Sequence, residues 1–354
     1  MNGSSSTCAD RSLIKDDFVL FDLMKNDAAK VDGIHKPGPY WLKKTKATFN
    51  EIKKFGLQDF RGVSNSIGTS YCDNAYVDVR GLFNFFPRSI LTYFFRSVYP
   101  FNKVFDAQVS LTESYFHQLN SHTNMYLADN PRVIALLGKY NIDFETTRGG
   151  CLSFLEHGSA KIAHIYLNLL DTIDHVNKKV DLRTKRTCFE IGGGFGVNAH
   201  LLVELFKIKK IIYLDIVPNL YVGTQYLKSF YGESVIDYSV TRDKKVIAFQ
   251  ANDDLEILCI APHQIGKIVA EIDFFHNAHS FVEMPEDVIS NYAKKVETMM
   301  AKSNSAISIV SYDGFDPNTT LHPDKLPTFF NKKAKKFCVP TLSPDRSNFH
   351  FVIQ

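Results

Sequence analysis

A glycine-rich loop between a strand and a helix is the feature that most constrains this chain. The loop Glu190-Ile-Gly-Gly-Gly-Phe-Gly196 ends a segment predicted as a strand, 187–191, and opens a segment predicted as a helix, 197–206. Glycines at such a point permit turns that a Cβ would forbid and let the backbone approach a ligand closely. The helix adds unpaired N–H groups and the positive end of its dipole. We therefore expect a nucleotide-type cofactor at this loop, and a tight turn without a ligand is the weaker interpretation.

Strands and helices alternate along the chain after this loop. Strands are predicted at 210–215, 245–249, 257–261, 272–276, 306–311 and 349–353, and helices at 220–230 and 285–300. Upstream, a helical pattern runs from Leu13 to about Lys54, broken by Pro37-Gly38-Pro39, and one amphipathic helix is predicted over 152–176. Alternating elements are typical of a parallel sheet with helices on both faces. The predicted fold is α/β, with a doubly wound, mostly parallel, Rossmann-like sheet and a helical N-terminal extension.

Composition excludes several classes of protein. Of the 354 residues, 45% are hydrophobic and 22% are charged, and the net charge is +3, which argues against disorder and against a nucleic-acid binder. The most apolar stretch, 83–105, is interrupted by Pro87, Arg88, Arg96 and Pro100, so it does not predict a membrane span. The N-terminus lacks the apolar core of a secretory signal, and the six cysteines form no C-x-x-C pair. We expect a cytoplasmic protein.

Two cofactors fit the loop. Gly194-Phe-Gly-Val-Asn-Ala199 satisfies the dinucleotide pattern, and Asp215 follows the next strand, where a carboxylate binds ribose hydroxyls. This arrangement suits NAD, and it also suits S-adenosylmethionine, which has a ribose but no pyrophosphate. Glu190, directly before the glycines, favours the second, because a carboxylate there attracts the methionyl ammonium and repels a pyrophosphate. The loop also lies deep in the chain, whereas dinucleotide domains often begin with it.

Several blocks of sequence carry a resemblance to a known family. Besides the loop from Glu190 to Leu202, they are Tyr213 to Leu220, Asn277 to Met284 and, more weakly, Leu258 to Ile265. These blocks resemble the sugar O-methyltransferases, a family of class I S-adenosylmethionine-dependent methyltransferases. The helical N-terminal extension with its Tyr40-Trp41 element is also similar to that family.

The resemblance implies a set of cofactor contacts and a division into regions. The implied cofactor-binding residues are Glu190, Gly192, Gly193, Gly194, Gly196, Asp215, Ile216, Ala261, Pro262, His263 and Asn277. Among them, Asp215 binds the ribose, Ile216 packs on the adenine, and 261–263 lies at the adenine edge. Residues 1–12 are expected to be a disordered tail. Residues 13–150 form a mainly helical region that shapes the acceptor pocket, and 151–354 form the methyltransferase domain, with the boundary at Gly149-Gly150.

Candidate catalytic residues follow the strand predicted at 272–276. Ligands in open α/β sheets lie outside the carboxyl ends of the strands, which places His276, His279 and Glu283 near the cofactor. An imidazole suits the general base that a hydroxyl acceptor needs. His279 is our candidate base, with Glu283 orienting it or binding substrate hydroxyls. The alternatives are a loop histidine bonded to backbone, a structural role for His276, and a helix-capping role for Glu283.

Other polar residues are candidates for the substrate site. Arg148, Tyr312 and Asp313 are expected near the acceptor, although a surface salt bridge is an alternative for Arg148. His276, His279, Glu283 and Asp313 could contribute metal ligands, but their spacing matches no standard motif, so no metal is expected.

The sequence thus predicts an S-adenosylmethionine-dependent O-methyltransferase. Its acceptor would be a hydroxyl of a sugar or another polyhydroxylated small molecule, methylated by in-line transfer with a histidine base. An NAD-dependent oxidoreductase and a non-catalytic methyltransferase-like binding module remain alternatives. No nucleic-acid or membrane partner is expected. Because the aromatic stretch 83–105 suits a dimer contact as well as a helical core or a pocket wall, a homo-oligomer stays open.

Overall fold

The computed structural model describes residues 14–58, 60–63, 98, 103, 127–151, 154–300, 304–312, 320–342 and 347–353. Within these residues the strands are β1 (Phe154–His157), β2 (Ala160–Ala163), β3 (Thr187–Ile191), β4 (Lys210–Leu214), β5 (Val235–Ile236), β6 (Glu256–Ile260), β7 (Phe274–Ala278), β8 (Ala306–Ser311), β9 (Lys335–Pro340) and β10 (Ser347–Ile353). The helices are α1 (Phe18–Ala28), α2 (Pro39–Phe55), α3 (Phe60–Val63), α4 (Pro131–Lys139), α5 (His164–Val180), α6 (Val197–Phe206), α7 (Asn219–Tyr231), α8 (Tyr238–Thr241) and α9 (Glu286–Met299).

Strands β3 to β10 form one sheet in the order β5–β6–β4–β3–β7–β8–β10–β9. The strands from β5 to β8 in this order are parallel, and β10 is antiparallel to both of its neighbours. From β3 the chain proceeds outward to β4 and β6 on one side, and returns to β7 and β8 on the other. The strand order therefore reverses between β3 and β7. The predicted doubly wound, mostly parallel sheet with a helical N-terminal extension is confirmed.

The central strands are buried on both faces, as parallel sheets require. Alternate residues of β3 enter two different cores, because successive side chains of a strand point to opposite faces. Cys188 packs with Tyr213 and Phe274 in one core, whereas Phe189 packs with Ile212 in the other. In the sequence, these strands are continuous apolar runs without an alternating polar face, which is the pattern that indicates a strand buried on both faces.

The helix predicted over 152–176 is wrong in its first half. β1 and β2 form an antiparallel hairpin in which His157 pairs with Ala160, and α5 begins only at His164. The two-residue connection contains Gly158 at φ 60°, which is the left-handed conformation that tight hairpin turns need. The Gly-Ser pair between two short apolar segments was the signal of this turn.

Two further predictions need correction. The strand predicted at 245–249 is reduced to a single bridge between Ile247 and Ile268, because only Ile247 of that segment is buried. The charge run Lys332, Lys333, Lys335 and Lys336 predicts a solvated surface turn; all four lysines are exposed, but Lys335 and Lys336 belong to β9, which pairs with β10 at the edge of the sheet. Lysines on an edge strand discourage pairing with other chains.

The N-terminal helices share a core with the sheet domain. The ring of Phe21 lies 4.9 Å from that of Tyr221 on α7, and Asp27 pairs with Arg242 at 2.5 Å. The division into 13–150 and 151–354 stays a prediction. The tail 1–12 lies outside the described residues, as does 83–105 apart from positions 98 and 103. None of the described helices has the length and apolarity of a membrane-spanning helix.

Candidate functional site

A cavity opens at the carboxyl ends of β3, β4 and β7, beside the point where the strand order reverses. It is lined by Lys36, Pro37, Gly38, Trp41, Ile165, Leu169, Ile191, Gly192, Gly193, Gly194, Phe195, Val197, Asn198, Leu214, Asp215, Ile216, Asn219, Ala278, His279, Ser280, Glu283, Met284, Pro285, Val288 and Tyr292. Open α/β sheets bind ligands at this position. Of the predicted site residues, the structure brings together here the first three loop glycines, Asp215, Ile216, His279 and Glu283.

At Gly192 and Gly193 the glycine loop is packed so tightly that a side chain would not fit. Gly192 has φ 73°, and a Cβ on it would overlap the side chain of Ser280. A Cβ on Gly193 would lie 2.5 Å from Cε2 of Tyr213 and 2.8 Å from Oε2 of Glu190. The loop therefore passes directly over the end of β3, and its backbone faces the cavity. Gly196 precedes α6 and lies outside the cavity lining.

Glu190 lies beneath this loop as a buried carboxylate. Its Oε1 accepts a hydrogen bond from Nδ2 of Asn198 at 3.0 Å, whereas Oε2 has no hydrogen-bond partner among the described residues. Burial raises the pKa of Glu190 to about 7, and the Asn198 hydrogen bond offsets this only in part. A buried polar atom without a partner is rare in native proteins and calls for a ligand or a water.

Asp215 ties the glycine loop to the end of β4. Its Oδ2 accepts from the Gly194 N–H at 2.8 Å and its Oδ1 accepts from the Ile216 N–H at 2.7 Å. Burial raises the pKa of Asp215 to about 7 despite these hydrogen bonds. The Asn219 side chain adds a third hydrogen bond, so of the four acceptor positions of the carboxylate one remains for a ligand hydroxyl. Ile216 lines the cavity next to it.

The remaining predicted cofactor residues lie away from the cavity lining. Residues 261–263 lead into the 3-10 helix Pro262–Lys267, and Nε2 of His263 lies 3.2 Å from the Tyr238 hydroxyl. Asn277 is fully buried and joins two loops, because its Nδ2 donates to the Ile191 carbonyl at 2.8 Å and its Oδ1 accepts from the Phe281 N–H at 3.0 Å. Asn277 thus fixes the loop after β7 to the end of β3.

His279 stands in a left-handed backbone conformation at the cavity. Its φ is 68°, and its N–H donates to the Val310 carbonyl at 2.7 Å. Nε2 is buried and has no hydrogen-bond partner in the described part of the chain. Burial lowers the pKa of His279 to about 4, and a hydrogen bond with Asn348 offsets this only in part, so the imidazole is neutral near pH 7. A non-glycine residue with positive φ is uncommon and often marks a functional position.

His276 and Glu283 have different surroundings. His276 is buried within the sheet, where it stacks on Phe274 and lies outside the cavity lining, and burial lowers its pKa to about 3. Glu283 lines the cavity, and its oxygens accept hydrogen bonds from Trp41 and Tyr312. In the described residues no hydrogen bond joins Glu283 to His279. Pro285 is the N-cap residue of α9 and no side chain caps the helix, so the capping alternative for Glu283 is wrong.

The predicted substrate residues are dispersed. Arg148 donates to the backbone and hydroxyl of Ser229 and its guanidinium lies 3.9 Å from the Phe230 ring centroid, so it anchors the end of α7 rather than forming a surface salt bridge. The Tyr312 hydroxyl donates a hydrogen bond to Glu283, which lines the cavity. Asp313 lies outside the described residues. The described residues contain no cluster of three or more His, Cys, Asp or Glu side chains that could hold a metal ion.

Sequence reasoning missed the contribution of distant segments to this cavity. Residues 36–38 and Trp41 come from the N-terminal extension, and Ile165 and Leu169 come from α5. The turn Pro37-Gly38-Pro39 could have indicated the first segment, because the backbone of a turn before a helix is free to pack against another part of the protein. Nothing local to the sequence marks the two α5 residues, which fit an ordinary apolar helix stripe.

The comparisons with known proteins give a partial structural similarity. No family model matches the sequence, and no curated protein matches it. The structure is similar to mitomycin 7-O-methyltransferase MmcR, with 12% identity and a TM-score of 0.34 over 54% of this chain and 58% of that chain. It is similar to the pyocyanin biosynthetic protein PhzM, with 10% identity and a TM-score of 0.37 over 53% of this chain and 56% of that chain.

A third similar structure is TrmK of M. capricolum in complex with S-adenosyl-homocysteine. The identity is 13% and the TM-score is 0.34, over 52% of this chain and 67% of that chain. The chain thus spans less than two thirds of the length of MmcR and of PhzM.

Proposed function

We propose that this chain is an S-adenosylmethionine-dependent O-methyltransferase that acts on a hydroxyl of a sugar or another polyhydroxylated small molecule. The observation that carries this proposal is Oε2 of Glu190, which is buried beneath the glycine loop at the end of β3 and has no hydrogen-bond partner among the described residues. A ligand ammonium would complete its hydrogen bonding with a charge-assisted bond. The amino-acid part of S-adenosylmethionine supplies such an ammonium.

The charges of the site also favour this cofactor over NAD. Asp215 lines the cavity, whereas Glu190 lies buried beneath the glycine loop and outside the cavity lining, and burial raises both pKa values to about 7. Such a pair attracts a cationic sulfonium and ammonium, whereas it opposes a pyrophosphate. Beyond β8 the sheet also continues with β10, which is antiparallel to β8, whereas the second half of the dinucleotide fold continues in parallel.

Each part of S-adenosylmethionine has residues of suitable chemistry that would hold it. Glu190 and the backbone of 192–194 would hold the amino-acid part, Asp215 would accept a hydrogen bond from a ribose hydroxyl, and Ile216 offers an apolar surface to the adenine. When bound, this cofactor supplies an electrophilic methyl group. The chain's part is to align the acceptor oxygen with that methyl, because in-line alignment accounts for much of the acceleration of such a reaction.

His279 is the proposed acceptor of the hydroxyl proton. It lies after β7 at the cavity, its ring is neutral near pH 7, and Nε2 is without a partner in the described residues. A neutral imidazole nitrogen within reach of a bound hydroxyl would take its proton as the oxygen is methylated. The choice of a sugar-like acceptor rests on the sequence resemblance alone.

Titration calorimetry tests the cofactor directly. The purified full chain should bind S-adenosylhomocysteine with a Kd on the order of 1 μM, equivalent to about 8 kcal/mol, while NAD and NADP give no measurable heat under the same conditions. Binding of NAD without the nucleoside would replace the methyltransferase proposal with hydride transfer. Binding of none of the three would reject both cofactors.

A further inference from the structure

Glu283 is engaged by donors from two distant parts of the chain. The indole Nε1–H of Trp41 donates to its Oε2 at 2.8 Å, and the hydroxyl of Tyr312 donates to its Oε1 at 2.7 Å. Tyr40 adds a further hydrogen bond, and Lys44 lies close enough to lower the pKa of Glu283, although burial as the largest effect raises it. A carboxylate that already accepts from several donors is poorly placed to take a substrate proton.

Trp41 is held against the cavity by this carboxylate and by the turn that precedes it. A Cβ on Gly38 would lie 3.0 Å from Cδ of Pro285 and 3.5 Å from the carbonyl oxygen of Glu283, so the turn at 37–39 packs directly on 283–285. Lys36, Pro37, Gly38 and Trp41 all line the cavity. The N-terminal extension therefore contributes part of the cavity wall.

We infer that Glu283 is a positioning residue that holds Trp41 as the wall of the acceptor half of the cavity. The cofactor half is built from other elements, namely the glycine loop and the end of β4, which carries Asp215. The indole N–H is committed to Glu283, so the surface that Trp41 can offer a ligand is its apolar ring. This inference rests on the proposed methyltransferase function, since it divides the cavity into a cofactor half and an acceptor half.

Trp41 is the only tryptophan of the chain, so its fluorescence reports on this contact alone. In the full-length protein, Glu283→Ala should raise the acrylamide quenching constant of Trp41 at least about twofold, because the indole loses its acceptor and gains exposure. Glu283→Gln should stay close to the native value, since its amide oxygen still accepts from the indole. Tyr312→Phe, which leaves the Trp41 contact intact, gives a second and milder variant.

The matched control is Glu286→Ala, which removes a carboxylate three positions away that pairs at the surface with Lys325. It should leave the quenching constant unchanged. Thermal melts show whether each variant is folded. Equal quenching in native protein and a folded Glu283→Ala variant would overturn the positioning role, and so would a Glu283→Gln variant as exposed as the alanine variant.

The assignment to the acceptor half is tested with S-adenosylhomocysteine as the probe. Saturating probe should shift the emission of Trp41, while Trp41→Ala should keep its affinity for the probe within about threefold, less than 1 kcal/mol. An unchanged emission would place Trp41 outside the ligand site, and a loss of more than about tenfold in affinity would place it in the cofactor half. If the native protein does not bind the probe, the proposed function fails, whereas the quenching comparison still decides the role of Glu283.

Discussion

Replacement of Glu190 by glutamine is expected to weaken S-adenosylhomocysteine binding and to stabilise the free protein. Hydrogen bonds to charged groups contribute about 1.5–3 kcal/mol, so the affinity should fall by about 10- to 150-fold. In the free protein, Oε2 of Glu190 is buried without a hydrogen-bond partner among the described residues. An uncharged amide of the same size avoids burying that charge, so the melting temperature of the free variant should rise at neutral pH.

The pH dependence follows from the direction of the pKa shift. The pKa of Glu190 is raised from 4.5 to about 7 by burial, so the folded protein keeps this proton at pH values where the unfolded chain has lost it. The stability contributed by the carboxyl is therefore complete below about pH 4.5 and is lost as the pH rises through about 7. Asp215, whose pKa is also raised to about 7 by burial, acts in the same direction.

Ligand affinity should show the opposite trend with pH. The ammonium of the ligand needs an ionised Glu190, so the affinity of the native protein should decrease as the pH falls below about 7, by up to about tenfold per unit. In Glu190→Gln that dependence should flatten. Calorimetric titrations at about pH 6 and pH 8, with thermal melts of the free proteins, measure both effects. Glu271→Gln, at an exposed carboxyl, is the control. Native affinity and native pH dependence in Glu190→Gln would refute the assigned role.

Local chemistry made the centre of the fold predictable. The strand predicted at 187–191 and the helix predicted at 197–206 coincide with β3 and α6 residue by residue. A run of apolar residues, a cluster of glycines and an amphipathic segment each determine their own conformation, and their order determines a parallel sheet. The carboxyl-end rule then placed the loop and the residues after β7 at one edge, as the structure has them.

Contacts between segments that lie far apart in the sequence could not be predicted from local sequence patterns. Trp41 and Glu283 are 242 positions apart, and no property of either residue alone predicts their hydrogen bond. The same holds for Arg148, whose guanidinium lies over the Phe230 ring. For 152–176 the helical spacing of apolar residues predicted one helix, although Gly158 within this segment forms a turn. Sequence periodicity therefore determines the elements, whereas the choice of partner for each polar side chain depends on the completed fold.

Replacement of Gly192 by alanine is the second change with a large expected effect. Two costs coincide there. The residue has φ 73°, which costs a residue with a Cβ about 1–2 kcal/mol, and the new Cβ would overlap the Ser280 side chain, which costs about 1–3 kcal/mol more. The variant should lose roughly 2–5 kcal/mol of unfolding free energy. Because the loop must shift to relieve the overlap, S-adenosylhomocysteine binding should be lost with it.

The two costs can be separated experimentally. Gly158 has φ 60° with open space around its Cα, so Gly158→Ala carries the backbone cost alone and should lose only about 1–2 kcal/mol in denaturant unfolding. Ser280→Gly removes the atoms that a Cβ on residue 192 would meet. Combined with Gly192→Ala it should therefore be less destabilising than the sum of the two single changes, with a coupling of about 1–3 kcal/mol. Additive single changes would show that the loop after β3 does not press on the loop after β7. The close approach of these two loops, which brings the glycine backbone next to His279, would then have to be abandoned as the basis of the site.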